Sequence, residues 1–246
     1  MNIAIGIPAR MASSRFPGKP LVELAGKPML AHVIERAKAA ELGSVFVATD
    51  DEEIARVAEK YGANAVMTPA DCSSGSERLA VAARDMPADL IINVQGDEPL
   101  IDPQAIRAVI TPFAEDPFLP MATLAHTATL WDLDNPHVVK VVCDARGRAL
   151  YFSRAPIPYQ RDTTAHPCAL RHVGLYAYRR EFLLIYPSLE PCEAEKAEQL
   201  EQLRVLHHGY DIAVTVGDFE SQGVDTPEDL QKVLSLLRQT PDTGGS

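Results

Sequence analysis

Dense apolar runs alternate with amphipathic stretches from the first residues of the chain onward. Residues 2–7 (NIAIGI) have the length and Ile content of a sheet-core strand, and Pro8, which cannot donate to a ladder, ends the run. Residues 28–42 follow with helical spacing and a proline in the first turn, and residues 44–49 (SVFVAT) read as a second strand. Asp50 and Asp51 are placed to cap a helix over 52–61 that stops at Gly62, and 64–67 is a third short strand. Ser74 and Glu77 have the S-x-x-E form of a capping box for a helix to about Asp85, before the strongly apolar strand 89–95 (DLIINVQ). Such repeated strand and helix units within the first hundred residues predict a doubly wound, mostly parallel, Rossmann-like α/β sheet flanked by helices.

After residue 117 the pattern becomes mixed. A helix over 102–115 leads to an extended segment at 120–127. Residues 138–143 and 149–154 flank the turn Asp144-Ala-Arg-Gly147, a hairpin signal with β-branched and aromatic residues on both sides. A strand near 172–178, a helix over 193–208, a strand at 212–216 and a helix at 227–238 complete the reading. One domain over 1–238 is expected: a first part to about 117, a smaller mixed β/α insertion over about 118–211, and a return to the main sheet. The polar, Gly-containing stretch 239–246 is expected to be a frayed tail.

Charge narrows the partners. A net charge of −11 and a pI near 5.1 argue against a general nucleic-acid or bilayer surface, because both need a basic face. Any anion site must therefore concentrate its cations locally. Cys72, Cys143, Cys168 and Cys192 have no C-x-x-C spacing, and no signal peptide or long apolar run is visible, so a cytoplasmic, reducing setting is expected. The seven histidines form no zinc-type set.

A local concentration exists in the loop released by Pro8, which carries Arg10, Arg15 and Lys19 beside Gly18. In an open α/β sheet that exit is where ligands bind, and Arg forks with a mobile Lys suit a polyphosphate. A solvated basic loop is the competing reading. The loop is neither a P-loop nor a G-x-G-x-x-G turn, which disfavours a nicotinamide dehydrogenase. Asp97 follows strand 89–95 and Asp225 precedes the last helix. Each is also readable as a turn or cap residue, yet one or two carboxylates with substrate phosphate suffice to hold magnesium. His172 and Tyr176 would share a face of a strand, as ligands or as a core pair; Glu201 and Gln202 could be solvated helix face, and Arg154 could simply end a strand.

The segments IPARMASSRFPGKPL (7–21), GKPML (26–30), VATDDEEIA (47–55), MTPADCSSGSERLA (67–80), IINVQGDEPLI (91–101), VVKVVCDARGRALYFSRAPIPY (138–159), LRHVGLYAY (170–178), LEQLRVL (200–206) and GVDTPEDL (223–230) together resemble the 3-deoxy-manno-octulosonate (Kdo) cytidylyltransferase family of the sugar nucleotidyltransferases. LYFSRAPIP, RHVGLYAY and LEQLR belong to the acid-sugar part of that family. Met11, Ser14, Phe16 and the helix opening CEAEK (192–196) depart from its pattern. The resemblance implies that Arg10, Arg15 and Lys19 hold the CTP triphosphate, that Ala9, Ser74, Gly75 and Arg78 surround the cytidine, and that Asp97 and Asp225 bind Mg2+. Arg10, Arg15, Lys19 and Asp97 would carry catalysis. Gln95, Arg154, His172, Tyr176, Glu201 and Gln202 would line the sugar pocket, with Arg154 facing the Kdo carboxylate. It further implies a homodimer in the cytoplasm whose product enters lipopolysaccharide. A cytidylyltransferase for another 2-keto sugar acid, including an amino-substituted Kdo, and a catalytically silent nucleotide-binding homologue are the alternatives.

Overall fold

A computed structural model describes residues 1–12, 16–161, 169–219, 223–224 and 226–239. β1 (Ile3–Pro8) buries Ile5 and Ile7 completely and ends where proline removes the donor. A two-residue hairpin, β2 (Glu23–Leu24) and β3 (Lys27–Pro28), precedes α1 (Met29–Ala39). Pairing of Pro28 with Glu23 therefore delays the helix by one residue against the expected start. β4 (Ser44–Thr49), α2 (Glu52–Lys60) and β5 (Asn64–Met67) follow as read from the sequence. Asp51 alone caps α2, accepting from the Glu53 and Ile54 amides, while Asp50 turns toward Arg78. α3 (Gly75–Ala82) is shorter than expected, and its Glu77 carboxylate reaches Ser73 instead of closing a reciprocal box with Ser74.

β6 (Leu90–Asn93) is buried throughout. The helix expected over 102–115 is divided into α4 (Pro103–Ala108) and α5 (Pro112–Glu115), because Pro112 has no amide hydrogen to continue the ladder. β7 (Met121–Thr127), α6 (Leu130–Asp134), β8 (Lys140–Cys143), β9 (Ala149–Ser153), β10 (Leu170–Arg179) and α7 (Arg180–Ile185) come next. The helix expected over 193–208 is also two, α8 (Glu193–Glu198) and α9 (Gln202–His207), since Gln199 takes a left-handed backbone with φ 55°. β11 (Ile212–Val216) and α10 (Pro227–Gln239) end the described fold.

Nine of the eleven described strands form a mixed sheet in the order β11-β7-β10-β6-β1-β4-β5, with the β8–β9 hairpin attached to β10, and β2 and β3 pair separately. β6, β1, β4 and β5 are mutually parallel, β11 is parallel to β7, and β10 runs antiparallel between β6 and β7. This is the doubly wound, mostly parallel architecture expected from the alternation. One face of the sheet packs Ile5, Ile7 and Val47 on Leu30, Ile34, Ile54 and Ile106 of the helices. The other packs Ala4, Phe46 and Ile91 on Leu79, Leu183 and Leu203. Gly6 is required there: a Cβ at this position would lie 2.6 Å from both Leu79 and Phe46 side-chain atoms. Among the described residues no helix is long and apolar enough to cross a membrane. Cys72, Cys143 and Cys192 are free thiols; Gln239, the first residue of the expected 239–246 tail, still belongs to α10, and Cys168 and residues 240–246 lie outside the described residues.

Candidate active site

Three segments distant in sequence meet at the carboxyl ends of β1 and β6. Gly96, just beyond β6, passes so close to Pro8 that a Cβ would lie 2.8 Å from the Pro8 carbonyl oxygen. Lys19 opens a short 3-10 turn after Gly18, whose φ of 72° suits glycine. Its Nζ donates to Asp97 Oδ2 at 2.6 Å and to the Val224 carbonyl at 2.8 Å, and the Val224 amide donates back to the Asp97 carbonyl at 2.9 Å. The opening loop, the end of β6 and the approach to α10 are thus tied together through Lys19 and Asp97. Ala9 is buried and Arg10 is exposed on the loop. Arg15 and Asp225, the other two charged candidates, lie outside the described residues.

The start of α3 overhangs this junction. Ser74 caps it by accepting from the Glu77 amide, and a Cβ on Gly75 would lie 3.1 Å from Pro8 Cγ and 3.8 Å from Gln95 Oε1. The first amides of a helix point their unpaired N–H groups outward, which is where an anion or a base oxygen is received. Arg78 is not on an open wall. It is 2% exposed, donates to Thr68 Oγ1 at 2.6 Å and stands 3.5 Å from Asp50 Oδ1. Its Nη2 has no hydrogen-bond partner among the described residues.

Beside the junction opens a cavity of about 540 Å³. Gln95 from the end of β6, Arg154 from the end of β9, His172 and Tyr176 from β10, and Glu201 and Gln202 from the start of α9 all line it, together with Gly75. The six residues assigned to the sugar side on resemblance are therefore brought to one space that touches the α3 cap. Burial holds the Glu201 carboxyl above the usual carboxylate pKa, against the opposing pull of the Ser76 and Ser74 hydroxyls and of Arg204. Ser76 Oγ lies 3.3 Å from Tyr178 Oη, and Gln95 Nε2 donates back to Asn93 Oδ1, the last residue of β6, at 3.3 Å. Burial pushes the Tyr176 phenol well up as well, so both aromatic neighbours of the site stay neutral.

Arg154 is held open-handed. Its Nε donates to the Glu198 carbonyl at 2.8 Å and its Nη1 to the Pro136 carbonyl at 3.1 Å, both neutral acceptors, and it enters no ion pair among the described residues. A guanidinium fixed by neutral carbonyls keeps its full charge and its remaining donors for an anion. Underneath, Lys140 is fully buried and donates to the carbonyls of Asn135, Val138 and Arg154 at 3.0, 2.7 and 2.6 Å, clamping the β9 end to the loop before β8. Desolvation lowers its pKa. Sequence reasoning passed over Lys140, although a lone lysine inside the apolar run VVKVV was a readable signal of a buried, solvated-by-protein ammonium. It also passed over Glu98, His137, Arg171 and Tyr186, which line the same cavity. Arg171 stands next to His172 and pairs with Asp132 at 3.2 Å.

Burial drives the His172 pKa from 6.5 down to about 3. Between those values the unfolded chain binds a proton that the folded chain does not, so stability is complete above pH 6.5 and falls as the pH drops through the window. The slope from this residue is at most about 1.4 kcal/mol per pH unit. Urea midpoints of the wild type are expected to fall more steeply between pH 6.5 and 4 than those of His172→Gln; parallel curves would show that the imidazole is charged in the folded protein.

With this geometry described, three comparisons bear on the chain. A family model for cytidylyltransferases matches residues 3–212. The 3-deoxy-manno-octulosonate cytidylyltransferase of Syntrophotalea carbinolica is 50% identical over 248 residues, covering 97% of this chain and 99% of the relative. That of Syntrophobacter fumaroxidans is 51% identical over 245 residues, covering 97% and 98%. Among solved structures, a CMP:2-keto-3-deoxy-manno-octonic acid synthetase complexed with CTP superimposes with a TM-score of 0.93 at 44% identity, covering 97% of this chain and 99% of the other. A cytidylyltransferase from Leptospira borgpetersenii, 19% identical with a TM-score of 0.68, shares the fold.

Proposed function

The chain belongs to the cytidylyltransferase family, and we propose that it transfers CMP from CTP to 3-deoxy-manno-octulosonate, releasing pyrophosphate. One observation carries the reading: a single cavity gathers Gln95, Arg154, His172, Tyr176, Glu201 and Gln202 with Gly75 and Ser76 of the α3 start and with Glu98, the chain neighbour of the Asp97 that pairs with Lys19. A phosphate end and an acid-sugar end are thereby contiguous.

The anomeric hydroxyl of the sugar acid attacks the α-phosphorus of CTP in line. The new O–P bond forms as the bond to the bridging oxygen of the β-phosphate breaks, and the hydroxyl proton leaves to solvent. The enzyme contributes mostly position and charge, as in other transfers of this type. Lys19, with Arg10 and Arg15, holds the triphosphate and takes up the charge that grows on pyrophosphate, while α3 amides behind the Ser74 cap receive the nucleotide. Arg154 pairs with the sugar carboxylate, and Glu201 and Gln202 orient its hydroxyls.

The residues present suit magnesium. Asp97 offers a partly exposed carboxylate, 34% accessible, at the end of a strand, and a hard cation takes such an oxygen with substrate phosphate. No cluster of three metal-ligating side chains exists among the described residues. Asp97 and Asp225 would hold the ion, which when bound supplies charge neutralisation for the attacking and leaving oxygens. The cytoplasm, a homodimer and supply of lipopolysaccharide with the product complete the reading, on the resemblance of the whole chain.

The test is pyrophosphate release with CTP and magnesium against a panel of 2-keto sugar acids, with Kdo expected to give the highest kcat/KM. Arg154→Ala should then raise KM for the sugar acid by about 10- to 150-fold, the loss of a charge-assisted bond of about 1.5 to 3 kcal/mol, and leave KM for CTP near wild type. Equal losses for both substrates would reassign Arg154 to structure.

A further inference from the structure

The bend in β10 holds a hydroxyl whose proton can go only one way. Pairing of β10 with β7 shifts register between Val173 and Tyr176. Opposite that irregularity sits Thr123 of β7, fully buried, with its Oγ1 at 2.8 Å from the Leu175 carbonyl, 3.1 Å from the Val173 carbonyl and 2.9 Å from His172 Nε2. A threonine hydroxyl has one proton and two lone pairs, and a carbonyl oxygen can only accept. The proton of Thr123 is committed to the two carbonyls, so its oxygen faces His172 as an acceptor. Nε2 must then be the nitrogen that carries hydrogen.

We propose that Thr123 is a positioning residue that locks His172 in the Nε2–H tautomer, so that its unprotonated Nδ1 accepts a hydrogen bond from a hydroxyl of the sugar acid. The inference rests on the acid-sugar reading of the cavity given above. His172 lines that cavity, and its Nδ1 makes no hydrogen bond among the described residues. The ring is held in place by the edge of Phe152 at a centroid distance of 5.0 Å and by Tyr176 at 5.4 Å. Burial keeps it neutral near pH 7, which leaves one nitrogen without a proton. The opposite tautomer would turn Nε2 into an acceptor, draw the only Thr123 proton away from two buried carbonyls and present the cavity with a donor. An acceptor-only position selects ligands that bear a hydroxyl or amine there over those in which it is missing, methylated or replaced by fluorine.

Long-range 15N–1H correlation spectra of the intact protein labelled at histidine decide the tautomer without reference to activity. An unprotonated Nδ1 and a protonated Nε2, unchanged from pH 8 to pH 5, are expected for His172 in the wild type. Thr123→Val should lose the single tautomer and raise KM for the sugar acid by roughly three- to tenfold with KM for CTP unchanged, the size of one neutral hydrogen bond. Thr123→Ser, which keeps the hydroxyl, should restore both. A protonated Nδ1 in the active wild type, or Thr123→Val with unaltered KM for the sugar acid, overturns the proposal. Should Thr123→Val fail to fold, the wild-type spectrum and Thr123→Ser still decide it, since a protonated Nδ1 in either is fatal to it. A wild type that turns over no 2-keto sugar acid overturns the functional reading beneath it instead.

Discussion

Asp97→Asn is expected to lower the single-turnover rate by about 10²- to 10³-fold at saturating CTP, the cost usual for removing one fixed electrostatic contact to a transferring group. The substitution preserves shape and leaves an amide oxygen at this position to accept from Lys19, so the fold should persist. The Lys19–Asp97 pair is partly open to water, with 34% of the Asp97 side chain accessible, and pairs of that kind contribute about 1 kcal/mol or less to stability. A thermal midpoint within a few degrees of wild type is the control. What is lost is a full negative charge beside the phosphate loop. Lys19 Nζ then loses the Asp97 charge while keeping the Val224 carbonyl, and position 97 no longer offers a hard oxygen anion to a divalent cation. Titration with magnesium separates the two consequences. Near wild-type rates at limiting magnesium would remove Asp97 from any metal-binding role, whereas partial recovery at high magnesium would support it.

The parallel half of the fold was readable because its strands are buried on both faces and therefore appear as continuous apolar runs: SVFVAT and LIIN fall where they were expected. What lay beyond reach was set by contacts between distant segments. Nothing in LRHVGLYAY says that this strand runs antiparallel between β6 and β7, and the left-handed backbone at Gln199 divides a helix without the glycine that usually marks such a point. The break at Pro112, by contrast, was written in the sequence. Asp97 was legible as a carboxylate beyond the end of a buried strand, but its partner was not, since Lys19 is 78 residues away. The residues assigned to the sugar side were grouped by resemblance, each being ambiguous alone; that they share one cavity depends on the ends of β6 and β9, the bulged stretch of β10 and the start of α9 meeting in space. Thr123 and Lys140 went unread because each acts by hydrogen bonds to carbonyls whose location depends on the bulge in β10 and the loop before β8.

Lys19→Ala should weaken CTP by about 10- to 150-fold, corresponding to a charge-assisted bond of about 1.5 to 3 kcal/mol, and weaken CMP much less. The ammonium is only 12% accessible and is already held by Asp97 and the Val224 carbonyl, so it is a fixed charge and not a surface cation swinging in solvent. If it meets the β- and γ-phosphates, its contribution grows as negative charge collects on the departing pyrophosphate, and the chemical step must slow along with binding. Its removal also leaves the Asp97 carboxylate uncompensated next to a polyanion, a repulsion that CMP, lacking the outer phosphates, feels less. Lys19→Arg should recover part of the affinity without the full rate, because a planar fork cannot reproduce a point donor shared between a carboxylate and a carbonyl. Affinities for CTP and CMP and the single-turnover rate, all at fixed ionic strength, test the assignment. Equal weakening of the two nucleotides, or a difference from wild type that added salt abolishes, would reduce the loop to a diffuse positive surface, since attraction between exposed charges is largely screened beyond about 10 Å at 0.1 M salt and that of buried pairs much less.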